Sequence, residues 1–264
     1  MTTAATVSCE PKTVSAAQAK RNPKEHGAYA ILAVPLATGL IITGPTIVGL
    51  AATLAAVAGF LSHEPLLVVM GYRGARARQT FPFVRQRLAV LLIVMLASGL
   101  AALWLGPMLV RWSLIGCAML ASISFSVACL GKHRTLTGQL LGVVSLSAPL
   151  VPVLLAGQRP LGTSIESWVT LAIGFTSTTV AVRGVIATQK RQPCELHFTI
   201  LGAISVIIGG LVATGYSLVW ATLPMLCMSW SLLLRPPPTR YLKRVGWTLV
   251  GGTLASAIWL LVIF

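Results

Sequence analysis

The sequence predicts an all-α fold, a polytopic transmembrane helical bundle of about nine spans. Hydrophobic residues make up 56% of the 264 residues and charged residues only 9%, against about 25% charged residues in a typical soluble domain. Nine apolar runs follow one another between Ala28 and Phe264, and each is close to the roughly 20 residues that a helix needs to cross a bilayer. Short polar segments separate these runs, as is typical of multi-pass membrane proteins.

Tight turns and prolines set the ends of the predicted helices. Gly44-Pro45, Gly106-Pro107 and Gly215-Tyr216 predict tight turns, so the helices that they join are expected to be antiparallel neighbours. The Arg-Pro-Pro-Pro stretch at 235–238 ends the eighth helix, because proline lacks the backbone N–H that a helix uses. The predicted spans are 28–43, 46–71, 88–105, 108–130, 138–156, 167–187, 197–214, 218–234 and 246–264.

The basic residues predict the orientation in the membrane. Eighteen of the 20 Lys and Arg residues lie in the amino-terminal segment or near the span ends on one side, and only Arg111 and Arg159 lie on the other. Since Lys/Arg asymmetry orients helices, we expect an inner (plasma) membrane protein with its amino terminus in the cytoplasm and its carboxyl terminus outside. Residues 1–25 are polar and are predicted to be a disordered cytoplasmic tail, and residues 26–264 to form a single transmembrane domain.

The same charges indicate the partners. The net charge of +15 is explained by topology and by anionic lipid headgroups near the membrane surface. Membrane lipids are therefore the expected partners and nucleic acid is not. Six of the seven tryptophans lie near span ends and are predicted to be interfacial anchors: Trp104, Trp112, Trp168, Trp220, Trp247 and Trp259.

The first motif with candidate chemistry, Pro23-Lys24-Glu25-His26-Gly27, lies directly before the first span. The chain contains no aspartate and five glutamates, so few carboxylates are available to a site on the basic side. Glu25 and His26 are candidate catalytic residues, and Lys24 is a candidate substrate-binding residue. The alternative interpretation is a capped helix end, where the positive end of the helix dipole stabilises the Glu25 carboxylate.

The second motif, Ser62-His63-Glu64-Pro65, lies inside the second span. Glu64 precedes Gly71 by seven residues, which places it about 10 Å from the end of the span. An imidazole and a carboxylate at that depth are costly unless they face the bundle interior and find partners. His63 and Glu64 are therefore candidate catalytic residues, and a structural ion pair is the alternative.

The third motif is the pattern Arg-Gly-x-x-Ala, which occurs at 73–77 and again at 183–187. The two copies end the second and sixth spans on the same side, which indicates an internal four-helix repeat. Arg73 and Arg183 are candidate substrate-binding residues, although plain topology-setting charge also explains them. Arg183 lies about one turn inside its span, and we expect it to lie near Glu64.

The stretch Lys24-Glu25-His26-Gly27-Ala28-Tyr29, a proline-bearing first span and His63-Glu64-Pro65 resemble the YwiC-like family of bacterial membrane proteins. The resemblance runs from about Pro23 to the carboxyl terminus and implies no particular reaction. The nine spans, with motifs after the second and sixth, are more loosely similar to UbiA-type intramembrane prenyltransferases.

The UbiA-type resemblance implies an isoprenoid diphosphate bound through Mg²⁺ on aspartate-rich motifs, and this chain has no aspartate. Arg73 and Arg183 occupy those positions and are able to bind phosphate directly through bidentate hydrogen bonds. The expectation is a UbiA-like arrangement without metal or other cofactor.

Three functions remain open at this point. The first is a UbiA-like protein that binds or transfers a lipid with an anionic head, such as a lipid phosphate or another amphiphile, at a cytoplasm-facing pocket. The second is a small proton-coupled transporter, which an intramembrane Glu/His pair and proline-kinked helices fit. The third is a non-catalytic scaffold for a membrane complex. The sequence does not decide whether the protein is an enzyme.

Overall fold

The structure, a computed structural model, describes residues 26–72, 83–132, 135–237 and 242–264. The predicted tail, 1–25, lies outside these residues. A 3-10 segment, Leu218–Thr222, precedes the ninth of the helices that the described residues form. These are α1 His26–Thr43, α2 Ile47–Val69, α3 Val84–Leu105, α4 Met108–Cys129, α5 Leu136–Ser147, α6 Leu150–Ala156, α7 Leu161–Gln189, α8 Glu195–Ala213, α9 Leu223–Leu234 and α10 Leu242–Ile263.

Seven described segments are long and apolar enough to cross a membrane, namely α2, α3, α4, the joined α5–α6, α7, α8 and most of α10. Two shorter apolar helices, Gly27–Thr43 and Leu218–Leu234, complete the set. These nine segments coincide with the nine predicted spans, so the prediction of a polytopic helical bundle is confirmed. The UbiA-like arrangement and the four-helix repeat stay predictions.

Contacts between helix ends and the connecting segments mark the two ends of the bundle. At one end, Arg159 Nη2 donates a hydrogen bond to the Ile42 carbonyl over 3.1 Å, and its guanidinium lies 5.4 Å from the centroid of the Phe264 ring. At the other end, Gln189 Nε2 donates to the Pro237 carbonyl over 3.0 Å. We call the end at which α2 and α7 finish the basic end, and the end that contains Arg159 the opposite end.

The two arginines at the opposite end bind the last carbonyls of helices. Arg111 donates from Nε to the Gly106 carbonyl over 3.0 Å and from Nη2 to the Trp104 carbonyl over 3.2 Å, at the end of α3. Arg159 does the same at the end of α1. The last carbonyls of a helix lack intrahelical donors and carry the negative end of the dipole. These two cations therefore stabilise helix ends.

The fifth span is interrupted, whereas the sequence predicted one continuous span over 138–156. Pro149 and Pro152 supply no backbone N–H, and Val151 N donates to the Ala148 carbonyl over 3.0 Å in a tighter turn. The helix stops at Ser147 and resumes at Leu150. α6 begins at Leu150, which is fully buried, and packs inside the bundle. Irregular backbone at membrane depth is tolerated only where protein covers it or where it lines a cavity.

α7 is longer than the predicted sixth span and is the most buried of the seven long spans. The apolar run begins at about residue 167, but the helix itself begins at Leu161 with polar first turns. Glu166 lies inside this helix and accepts a hydrogen bond from Leu218 N over 2.9 Å. Trp168 is half-buried and donates from Nε1 to Ser147 Oγ over 3.1 Å, and its role as an interfacial anchor stays a prediction.

Candidate functional site

A cavity of about 2180 Å³ lies inside the bundle. The parts of α1, α7 and α10 that line it are the parts nearer the basic end: Gly27–Leu32, Phe175–Lys190 and Gly246–Thr253. The mouth of the cavity is therefore at the basic end. Pockets for drug-sized ligands measure roughly 300–1,000 Å³, so this cavity has room for a considerably larger molecule.

The mouth is polar and positively charged. Two permanent cations, two imidazoles and two amides line it: His63, Gln139, Arg183, Lys190, Gln192 and His197. No carboxylate is present among the lining residues that the structure describes. A cleft lined by one sign of charge with apolar walls concentrates the opposite charge. The mouth therefore attracts anions.

Arg183 is held by an amide on another helix. Its Nε donates to Gln139 Oε1 over 2.6 Å, which joins α7 to the first turn of α5. Thr135 begins α5 by accepting a hydrogen bond from Gly138 N at its hydroxyl, and this cap fixes the turn on which Gln139 lies. The bond restricts the guanidinium to the mouth of the cavity.

His63 lines the cavity, and its ring meets Phe125 of α4 edge-on at 5.7 Å between centroids. Glu64 is half-buried and lies outside the lining residues, because adjacent residues of a helix point about 100° apart. α2 continues past Pro65 to Val69. The structure therefore brings His63, and not the Glu64 side chain, to the cavity surface.

His197, on the first turn of α8, packs against Gly184 of α7. A Cβ atom at Gly184 would overlap the Leu233 side chain and lie 3.3 Å from His197 Cβ. The glycine of the second Arg-Gly pattern thus allows α7 to approach α8 and α9 closely. His197 Nδ1 is buried and has no hydrogen-bond partner in the described part of the chain.

The predicted site residues fall into two groups. Arg183 and His63 line the cavity, and His26 begins α1 beside the lining residue Gly27. Lys24, Glu25 and Arg73 lie outside the residues that the structure describes. The predicted proximity of Glu64 and Arg183 stays a prediction.

Sequence reasoning missed four lining residues, Gln139, Lys190, Gln192 and His197. Their common signal is a polar side chain within a few residues of a span end on the basic side. Many solvated residues share that signal, so only the packing of the helices distinguishes these four.

Comparison with known protein families gives one match. The family model described as "YwiC-like protein" matches residues 23–154, which is half of the chain and includes both the Pro-Lys-Glu-His-Gly stretch and His63-Glu64-Pro65. The chain belongs to the YwiC-like family. No curated protein and no solved structure gives a significant match.

The YwiC-like match covers α1 to α6 and ends before α7 begins. It includes His63 and Gln139, which line the cavity, but not Arg183, Lys190 or His197. The cavity is therefore built from both the matched half and the half beyond it.

Proposed function

We propose that this YwiC-like membrane protein binds an amphiphile with an anionic head, such as a lipid phosphate, at the mouth of the cavity. The observation that carries the proposal is the composition of the lining. Arg183 and Lys190 are at the mouth, no described lining residue is a carboxylate, and the deeper lining is apolar. This arrangement fits a charged head attached to an apolar tail.

Arg183 is the principal ligand of the head in this proposal. A guanidinium bonds phosphate or carboxylate through two parallel hydrogen bonds, and the bond to Gln139 restricts its orientation before the ligand arrives. Lys190, directly after α7 and seven residues from Arg183, adds a second charge on nearly the same face about two turns further on. Arg73 and Lys24 belong to the same proposal, because each adjoins a helix that ends or begins at the basic end.

Any acid–base step is assigned first to His63, which lines the cavity. His26, Glu25 and Glu64 are further candidates for proton transfer. As an enzyme the protein would be a transferase acting on the bound head; as a binder it would present or sequester the lipid. We place the basic end in the cytoplasm, following the Lys/Arg asymmetry.

The test is native mass spectrometry of the detergent-purified protein, which identifies lipids that remain bound. Wild type is compared with Arg183→Gln and with the matched control Arg87→Gln. Arg87 is exposed on the first turn of α3, also at the basic end, and does not line the cavity. We expect a bound anionic lipid in wild type and Arg87→Gln, and its loss in Arg183→Gln. Equal lipid profiles in all three proteins would refute the proposal.

The interrupted fifth span favours a second candidate, a proton-coupled transporter. Discontinuous helices at membrane depth commonly mark the substrate sites of transporters, and Pro149 and Pro152 line the cavity. The test is proton flux into proteoliposomes driven by a pH gradient. Flux above that of empty vesicles, abolished by Glu64→Gln, would establish transport and replace lipid binding as the leading function.

A further inference from the structure

We infer that the ligand carries a long apolar tail, and that a groove between α2, α3 and α4, with a packed far end, limits the length of this tail. This inference rests on the proposed function, since the groove continues from the mouth that binds the head. It adds the class of ligand and the residues that select it.

The deep part of the cavity is lined mainly by α2, α3 and α4, together with Pro152 of α6. The lining residues of α1, α7 and α10 nearest the opposite end are Leu32, Phe175 and Thr253. None of the three lies appreciably beyond the middle of its helix as counted from the basic end. In contrast, α2, α3 and α4 line the cavity as far as Ala52, Leu103 and Leu114, within six residues of their ends at the opposite end. An apolar extension of the cavity therefore continues between α2, α3 and α4.

The extension exists because α4 stands away from α2 and α3. α2 packs closely along α3, whereas α4 makes few contacts with either. Small side chains line the gap from both sides, with Ala55 and Gly59 on α2 and Ala118 and Ala121 on α4. Ala118 and Ala121 are exposed, which leaves space in front of them for an alkyl chain.

The groove begins beside the mouth and ends at a packed floor. The rings of His63 and Phe125, edge-on with centroids 5.7 Å apart, lie where the groove leaves the mouth. At the opposite end, the buried side chains of Val110, Val151 and Leu155 pack together and against Leu114. Cluster packing of this kind leaves no passage for a tail beyond Leu114.

The length of the groove follows from the helices that line it. Eleven positions separate Ala52 from His63 on α2, and eleven separate Leu114 from Phe125 on α4. Eleven residues of helix rise about 16 Å, close to half of the roughly 30 Å hydrocarbon core. The groove thus matches one extended acyl or alkyl chain of about the length found in one leaflet.

Tail length is selected by fit in this arrangement. The tail moves from one apolar medium, lipid or detergent, into another, so its burial adds little affinity. A tail that is too long meets the packed floor and must fold back or displace side chains. One methylene too many for a packed apolar pocket discriminates by about tenfold or more.

The experiment uses an equimolar series of straight-chain monoalkyl phosphates, from octyl to octadecyl, competing for the full-length protein in native mass spectrometry. Two variants shorten the groove. Position 118 lies seven residues from Phe125, so Ala118→Phe leaves about 10 Å of groove for the tail. Position 121 lies four residues from Phe125, so Ala121→Phe leaves about 6 Å of groove. Met119→Phe is the matched control, because Met119 is exposed on α4 but does not line the cavity.

We expect the preferred chain to shorten in the order wild type, Ala118→Phe, Ala121→Phe, with Met119→Phe like wild type. The preference for the longest bound chain should fall about tenfold or more in Ala118→Phe. Binding that depends on Arg183 but shows the same chain preference in all four proteins would overturn the groove and leave the proposed function standing. Absence of any Arg183-dependent binding by wild type would overturn both.

Discussion

Arg183 Nε donates a 2.6 Å hydrogen bond to Gln139 Oε1, and this bond joins α7 to α5 across the mouth of the cavity. The two residues are 44 positions apart, and no local pattern pairs them. The bond gives a permanent cation a fixed place where the polar mouth meets the apolar lining. It is the contact on which the proposed binding of an anionic head depends most directly.

Gln139→Leu should weaken binding of dodecyl phosphate about three- to tenfold, because the guanidinium loses the acceptor that orients it and a hydrogen bond to a charged group contributes about 1 kcal/mol or more. Titration by native mass spectrometry measures the change. In the Arg183→Gln background, Gln139→Leu should lower the affinity for dodecyl phosphate only slightly. Equal costs in both backgrounds would show that Gln139 does not act through Arg183.

Gly157→Ala should destabilise the opposite end. A Cβ at Gly157 would overlap the Thr43 side chain and approach the Thr43 backbone, and overpacking of this kind costs about 1–3 kcal/mol. Gly162→Ala is the control, since a Cβ there meets nothing within 4 Å. Denaturation midpoints in detergent compare the two variants, and an unchanged midpoint for Gly157→Ala would contradict the close approach of Gly157 to Thr43.

Trp168→Phe should lower stability by about 1 kcal/mol, because it removes the hydrogen bond from Nε1 to Ser147 Oγ. Trp104 is 86% exposed, so Trp104→Phe should stay within about 0.5 kcal/mol of wild type. The same denaturation assay serves for both. A larger loss for Trp104→Phe than for Trp168→Phe would contradict a stabilising role for the Trp168–Ser147 hydrogen bond.

The expected proximity of Glu64 and Arg183 predicts rescue by charge reversal. Glu64→Arg and Arg183→Glu should each reduce the yield of folded protein, and the double variant should recover it, because opposite charges again face each other. Glu64→Arg combined with Arg87→Glu is the control, and it should not recover. Size-exclusion profiles of the detergent-solubilised proteins give the readout; no recovery in the Glu64/Arg183 double variant would count against the contact.

The basic end is expected in the cytoplasm and the carboxyl terminus outside. Alkaline phosphatase fused after Phe264 should therefore be active, because this reporter folds only outside the cytoplasm. A fusion placed after Arg191, in the basic connection between α7 and α8, should be inactive. The reverse pattern would invert the topology and place the mouth of the cavity outside.

The sequence predicted much of this protein by itself. The hydropathy runs specified nine apolar helical segments of the described chain, seven of them long enough to cross a membrane and most of them to within a few residues, because a bilayer requires long apolar stretches wherever they lie in the fold. The Pro-Lys-Glu-His-Gly and His-Glu-Pro stretches indicated the YwiC-like family before any geometry was considered. His63 and Arg183 were singled out because polar side chains are costly in apolar spans.

Only the tertiary structure decided which of those side chains share a surface. It placed His63 on the cavity and Glu64 beside it on α2, added Gln139 and His197, and showed that the fifth span is broken at Pro149. Hydropathy is a property of each segment alone, whereas a cavity arises where neighbouring helices fail to fill the space between them. The groove beside α4 depends on that separation, which no single span encodes.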